Sequence, residues 1–199
     1  MTRAVQHEPE GVRAARMTHC REILAGKTKS LRYVDALDLH NLQLGDERMA
    51  EAITRIAEAP GIRRLHLGWN TLGVGAMRAL AASPLATWIE ELDLAGNELG
   101  DPGIAALFAG HFPSLWKLDV PYCRVGDGAA GPIAAMTGMA ALRDLSLRRN
   151  DLTNAGAAIL AASQPLRRQL TRLDVDYNDE MTSKGMRLLR EAFGKALVE

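Results

Sequence analysis

Only two cysteines, Cys20 and Cys123, stand in the 199 residues, too few for a disulfide scaffold. Aromatic residues make up 5% of the chain, so a core has to be assembled from Leu, Ile, Val, Met and Ala. Charge of either sign is not in excess. Lys and Arg number 24, Asp and Glu number 24, and the balance removes any general attraction to nucleic acid or an anionic membrane. No apolar run approaches the roughly 18 residues of a membrane span. The first ten residues carry Arg3, His7, Glu8 and Glu10 and no apolar secretory core. These absences lead us to expect a cytoplasmic protein, with no membrane partner, no nucleic-acid partner and no disulfide. Hydrophobic residues at 47% and charged residues at 24% describe an ordinary folded chain rather than a disordered one.

What the chain does have is an internal repeat. The segments opening at Val34 (VDALDLHNLQLGD), Ile62 (IRRLHLGWNTLGVG), Ile89 (IEELDLAGNELGDPG), Leu115 (LWKLDVPYCRVGDG), Leu142 (LRDLSLRRNDLTNAG) and Leu170 (LTRLDVDYNDEMTSKG) share L-x-x-L-x-L-x-x-N-x-L. Their sixth positions, Leu39, Leu67, Leu94, Val120, Leu147 and Val175, are spaced by 28, 27, 26, 27 and 28 residues. Positions three to seven alternate outward and inward, the period of a strand, and each unit continues into a helical run such as GAMRALAAS or GAAILAAS. Asp46, Asp101, Asp127, Asn154 and Ser183 stand where helix N-caps are expected. Val74 breaks that pattern in the second repeat and leaves Gly75 as the expected helix start. Pro132 predicts a delayed or distorted helix in the fourth. Met181 comes one residue late in the sixth and predicts a small bulge.

Six such tandem units resemble the leucine-rich repeat family, of the ribonuclease-inhibitor-like subtype, over residues 34 to about 197. The resemblance implies an α/β solenoid: a curved horseshoe of about six strand-helix repeats, with an inner parallel sheet and outer helices. We expect residues 1–33 to supply an N-terminal capping helix and linker, and 34–199 to supply six repeats ending in a C-terminal capping helix. The capping helix is read over residues 8–26, with Val12, Ala15, Cys20, Ile23 and Leu24 on its apolar face and Gly26 as C-cap, and residues 1–7 as a frayed end. The resemblance further implies that the ninth-position residues, Asn70, Asn97, Cys123, Asn150 and Asn178, form a buried structural ladder bonded to backbone. Leu42 departs from it in the first repeat.

On the same resemblance a partner lies on the concave face. Row three, with Arg64, Glu91, Lys117, Asp144 and Arg172, alternates in sign and predicts a ladder of cross-strand ion pairs. Over rows three, five, seven and eight there are five bases against seven acids. In row five His66, Asp93 and Asp119 lie on consecutive strands. A metal could use such a set, but Asp is common at this position of the repeat, and Arg64 and Lys117 stand ready to answer the carboxylates. No metal site and no cofactor are expected.

Row eight holds Trp69, Gly96, Tyr122, Arg149 and Tyr177, a concentration of three of the nine aromatic residues, with Arg148 beside it in row seven. Trp, Tyr and Arg are the residue types that most often carry interface energy. Two strand spacings, about 10 Å before curvature brings the concave rims closer, separate Trp69 from Tyr122. The expectation is a slot between two ring walls, floored by Gly96, edged by Asp93 and Asp119 and able to take a Lys or Arg of a partner. Arg148 and Arg149 would receive an acidic neighbour on the same partner.

The chain shows no G-x-S-x-G, Walker loop or H-E-x-x-H. The functional expectation is a non-enzymatic module that binds a protein or peptide on its concave face. Two alternatives are a regulator of an enzyme in trans, such as a GTPase-activating protein, and a structural subunit of a larger assembly.

Overall fold

A computed structural model describes residues 10–27, 31, 33–59 and 61–198. The expected frayed segment 1–7 and most of the linker before the first strand lie outside the described residues. Six short strands, β1 (Ala36–Asp38), β2 (Arg64–His66), β3 (Glu91–Asp93), β4 (Lys117–Asp119), β5 (Asp144–Ser146) and β6 (Arg172–Asp174), occupy positions three to five of the six repeats. A two-residue β7 (Leu197–Val198) follows, and all seven form one parallel sheet in chain order. The sequence reading did not anticipate β7. Its Leu197 pairs with Leu173 of β6 and covers the last sheet edge with a leucine at the fourth-position register.

In the register of the sheet Leu37, Leu65, Leu92, Leu118, Leu145 and Leu173 stand in line, one per strand, and all are buried. The sixth-position residues are buried beneath them in the same way. Each buried leucine contributes about 2 kcal/mol of transfer free energy, but only when a neighbouring repeat covers it.

Behind the sheet run α1 (Glu10–Leu24), α2 (Gly45–Ile56), α3 (Val74–Ala82), α4 (Gly100–Phe108), α5 (Ala130–Ala135), α6 (Asn154–Ala162), α7 (Gln164–Gln169) and α8 (Ser183–Phe193). Helix α1 packs along α2. Its Cys20 and Ile23 are buried, Leu24 and Met17 are half-buried, and Ala15 is exposed. The side chain of Val12 lies outside the described residues. Gly26 ends the helix at φ +74°, where Lys27 N–H donates to the Glu22 carbonyl (2.8 Å) and Gly26 N–H to that of Ile23 (2.9 Å). That bond pair closes the helix with a left-handed glycine, which a residue with a Cβ would resist. In the fourth repeat a 3₁₀ turn, Asp127–Ala129, precedes α5, so the helix is late and short, as Pro132 predicts. Around Met181 the extra residue is absorbed by a turn in which Met181 N–H donates to Asn178 O (2.9 Å).

The expected N-caps are corrected. Asp46, Asp101, Asp127 and Asn154 do not cap their own helices; each reaches forward to the helix start of the next repeat. Asp46 accepts from Gly73 N–H (2.6 Å) and Gly75 N–H (2.9 Å). Asp101 accepts from Gly126 N–H (2.6 Å) and Gly128 N–H (3.1 Å). Asp127 takes Thr153 N–H (2.9 Å), Gly156 N–H (2.8 Å) and the Thr153 hydroxyl (2.6 Å). Asn154 takes Thr182 N–H (3.1 Å) and Gly185 N–H (2.9 Å). The N-cap of the last helix is Thr182, not Ser183, and α3 begins at Val74, not Gly75. The physical reason is that helix N-termini leave donors unsatisfied, and a carboxylate or carboxamide oxygen on the neighbouring repeat meets them as well as a local cap does. Glycines that stand against those carboxylates follow from it. A Cβ on Gly156 would stand 2.3 Å from the Asp127 carboxylate, and one on Gly128 2.4 Å from that of Asp101.

Candidate interaction surface

The ninth-position residues set the geometry of the rim. Asn97 is buried, its Oδ1 accepting from Asn70 N–H and Leu72 N–H (both 3.0 Å) and its Nδ2 donating to Leu94 O (2.7 Å) and Leu67 O (3.1 Å). Asn150 repeats this with Cys123 N–H (2.8 Å), Val125 N–H (3.1 Å), Val120 O (2.8 Å) and Leu147 O (3.0 Å). Asn70 accepts from Leu42 N–H (2.9 Å), and Asn178 from Leu152 N–H (2.9 Å). Cys123 sits buried in the same slot with Sγ 3.2 Å from Leu94 O, and burial pushes its thiol up to about 12. A thiol so far from ionisation is a poor nucleophile. Cys20 is also free and buried, and burial raises it too.

These bonds hold the backbone on both sides of position eight and impose a left-handed conformation there: Asn41, Trp69, Gly96, Tyr122, Arg149 and Tyr177 all have φ between +55° and +68°. For a residue with a Cβ that conformation costs about 1–2 kcal/mol, which the ladder offsets. It turns the row-eight side chains along the rim, where successive repeats meet. The Trp69 and Tyr122 rings are 5.9 Å apart at a 45° tilt. The Arg149 guanidinium lies 5.2 Å from the Tyr122 centroid and 4.2 Å from that of Tyr177, and Arg148 is 4.5 Å from Tyr177.

The open slot is therefore corrected. The Trp69 indole leans across Gly96, so that a Cβ there would fall 2.4 Å from Cδ2. The gap between the rings is filled by the ring itself, and a partner's lysine or arginine finds no space between them. The result is a continuous shelf, with Trp69, Tyr122 and Tyr177 at 48%, 41% and 54% exposure, enough to contact a partner.

His66, Asp93 and Asp119 belong to a second cluster on the strands, around a hollow of about 220 Å³ that Glu91 and Lys117 also line. His66 Nδ1 is 3.7 Å from Asp93 Oδ2, an ion-pair contact, and the carboxylate raises the imidazole against the effect of burial. Burial alone would raise Asp93, but His66 and the Ala95 N–H (2.9 Å) hold it below the usual carboxylate range. Asp119 goes the other way. Burial raises it, Lys117 at 3.2 Å counters only part of the rise, and Asp93 and Asp144 add to it. The residue that would donate an N–H to Asp119, as Ala95 does to Asp93, is Pro121. His66 and Lys117 thus answer the two carboxylates that could have edged a slot. Arg64 instead pairs with Asp35.

The row-three ladder is corrected likewise. The residues align across the sheet, but of the cross-strand pairs among the described residues only Arg172 to Asp144 closes (2.9 Å). Arg172 also reaches Asp174 (3.0 Å). Trp116 immediately precedes β4, on the side away from the row-eight rim. At position two it is 40% exposed, as Arg63, Glu90 and Arg143 at that position are exposed, so it marks the opposite edge of the strands. Trp88 is half-buried against the core.

A parallel sheet built one strand per repeat, backed by helices and stitched by ninth-position asparagines, defines a leucine-repeat solenoid. The family model described as "Leucine Rich repeat" matches residues 86–108 and 140–161. The chain is 34% identical to mouse protein NLRC5 over 134 residues, 66% of this chain and 7% of that protein. It is 28% identical to mouse ribonuclease inhibitor over 148 residues, 71% of this chain and 32% of the inhibitor. The chain thus spans no more than a third of either relative. Among solved structures, the yeast Rad7 and Elc1 complex contains a chain similar in fold (TM-score 0.51, 18% identity, 85% of this chain and 43% of that one). The family-model match and these relatives support a leucine-rich repeat family of the ribonuclease-inhibitor-like kind. Such domains generally mediate protein–protein interaction, and the family is typically non-catalytic. Among the described residues no helix is long and apolar enough to cross a membrane.

Proposed function

We propose that the protein is a non-enzymatic interaction module of the cytoplasm that binds a protein or peptide along its concave face, with the row-eight rim as the centre of contact. The observation that carries this reading is the shelf itself. Three large aromatic side chains are about half exposed, Trp69 against Tyr122 and the two tyrosines against Arg148 and Arg149, on a backbone held by buried asparagines. Such groups lose little freedom on binding, which favours affinity. The Rad7 and Elc1 complex, in which a chain of this fold has a protein partner, is in keeping with the reading. Helix α1 at one end and α8 with β7 at the other serve as caps for the repeats between them.

The test is quantitative affinity capture from a lysate of the source organism. Proteins held by the wild type should be lost from Trp69→Ala and Tyr122→Ala, each weakening binding by about 2 kcal/mol or more, the hot-spot threshold. Gly96→Ala is the sharper variant, because it keeps every aromatic ring but unseats the indole. Ile159→Glu, on the exposed side of α6, should change nothing. If the rim variants retain the same set as the wild type while Ile159→Glu loses it, the interaction lies on the helices and the proposal fails.

A further inference from the structure

We infer that the rim takes an acidic segment of its protein partner: one or two carboxylates seated on Arg148 and Arg149, next to an apolar residue lying on Trp69 and Tyr122. This rests on the rim being the interaction surface and adds the chemistry of what binds there.

Unanswered charge distinguishes Arg148 and Arg149 from the other bases of the face. The three bases of row three are committed. Arg64 pairs with Asp35, Lys117 with Asp119, and Arg172 with both Asp144 and Asp174. Beyond the rows, Arg124 pairs with Glu98 and Arg63 with Glu90. Arg148 and Arg149 differ. Among the described residues neither has a carboxylate within 4.0 Å, although Asp176 follows in the row of Arg148 and its carbonyl accepts from Arg149 N–H. Both guanidinium groups lie instead against Tyr177, and Arg149 also faces Tyr122.

A ring supplies a guanidinium with attraction but with no oxygen acceptor, so its five N–H donors still call for one. A carboxylate matches two of those donors with two parallel hydrogen bonds. Because the rings already hold the two side chains, little further ordering is needed when the acid arrives. The positive end of the rim adjoins the apolar end, since Tyr122 touches both Trp69 and Arg149. An occupant therefore carries acid and apolar groups side by side. Single-stranded nucleic acid, which also stacks on such rings, fits less well. Its phosphates repeat at every residue and would run past Asp93, Asp119, Asp144 and Asp174 on the strands, whereas a peptide can confine its acid to the arginine end.

The test pans a display library of short random peptides against the full chain, then measures selected peptides by fluorescence anisotropy. The expected result is enrichment of Asp or Glu beside Leu, Ile or Phe. Charge reversal in Arg148→Glu/Arg149→Glu should weaken the selected peptide at least tenfold, as loss of a charge-assisted bond implies on the order of tenfold or more. Arg187→Glu, on the exposed surface of α8, should leave it unchanged, and added salt should weaken binding to the wild type. Enrichment of basic or neutral peptides, no enrichment, indifference to the double variant, or displacement of the peptide by oligouridylate RNA would each overturn the inference. If the acidic preference fails while Trp69→Ala still loses the captured proteins, the rim reading stands and only the partner chemistry falls.

Discussion

The first and third repeats begin their helices differently from the other four. In the second, fourth, fifth and sixth, the N-cap residue (Gly73, Gly126, Thr153, Thr182) is extended, and its N–H goes back to Asp46, Asp101, Asp127 or Asn154 of the repeat before. In the first and third, Gly45 and Gly100 are left-handed at φ +66° and +54°, and their N–H groups point forward to the carbonyls of Asn70 and Cys123 (both 2.9 Å). Among the described residues α1 rather than a repeat stands before the first unit, and Val74 stands where the second should offer an acid. Where no side-chain oxygen reaches from behind, the helix start finds its bond ahead. One repeat motif thus yields two loops, and the neighbouring repeat selects between them.

The comparison can be broken at graded cost. Asn150→Ala removes the acceptor of Cys123 and Val125 N–H and the donor to two carbonyls, leaving buried groups unpaired; a loss of about 3 kcal/mol is expected in denaturant melts. Cys123→Ala in the equivalent slot should cost about 1 kcal/mol, since the thiol bonds weakly. Equal losses would mean that the ladder stabilises by packing alone.

Gly156→Ala puts a Cβ against the Asp127 clamp and should cost about 2 kcal/mol, the clamp being partly lost. Gly103→Ala, in the third repeat where no acid arrives, meets only Leu99 and Met77 and should cost distinctly less. Gly100→Ala forces a left-handed alanine, at about 1 kcal/mol or somewhat more, while Gly126→Ala at φ −104° should change stability by no more than about 0.5 kcal/mol. A reversed order in either pair would refute the two-loop account.

The smallest effect is in pH. His66 is raised by Asp93, so the pair's contribution is complete below the ordinary histidine value and is lost as pH rises through the raised one. At 3.7 Å and partly exposed, it should amount to less than about 1 kcal/mol and vanish in His66→Gln. Asp127 acts at the opposite end. Burial would raise it, but the Thr153 and Gly156 bonds lower it, so its contribution is present above the ordinary aspartate value and lost as pH falls through the depressed one. In Asp127→Asn that acid-side dependence should disappear from melts taken along a pH series.

The repeat, the strand register and the ninth-position ladder were legible in the chain because they depend on residues one strand or one turn apart, and the 27-residue spacing puts like beside like. That Trp69, Tyr122, Arg149 and Tyr177 share a row was legible on the same ground. What the row does was not. Its left-handed backbone comes from asparagine bonds that cross between repeats, and it closes the 10 Å gap expected from strand spacing to 5.9 Å. Which acid answers which base was equally hidden, as Arg64 turns to Asp35 and Asp93 to His66. Sequence period determines which residues are neighbours, because each repeat must bury its apolar face on the next. How the polar groups of those neighbours divide their bonds depends on distances of a few tenths of an ångström and on backbone twist, and these exist only once the repeats have stacked.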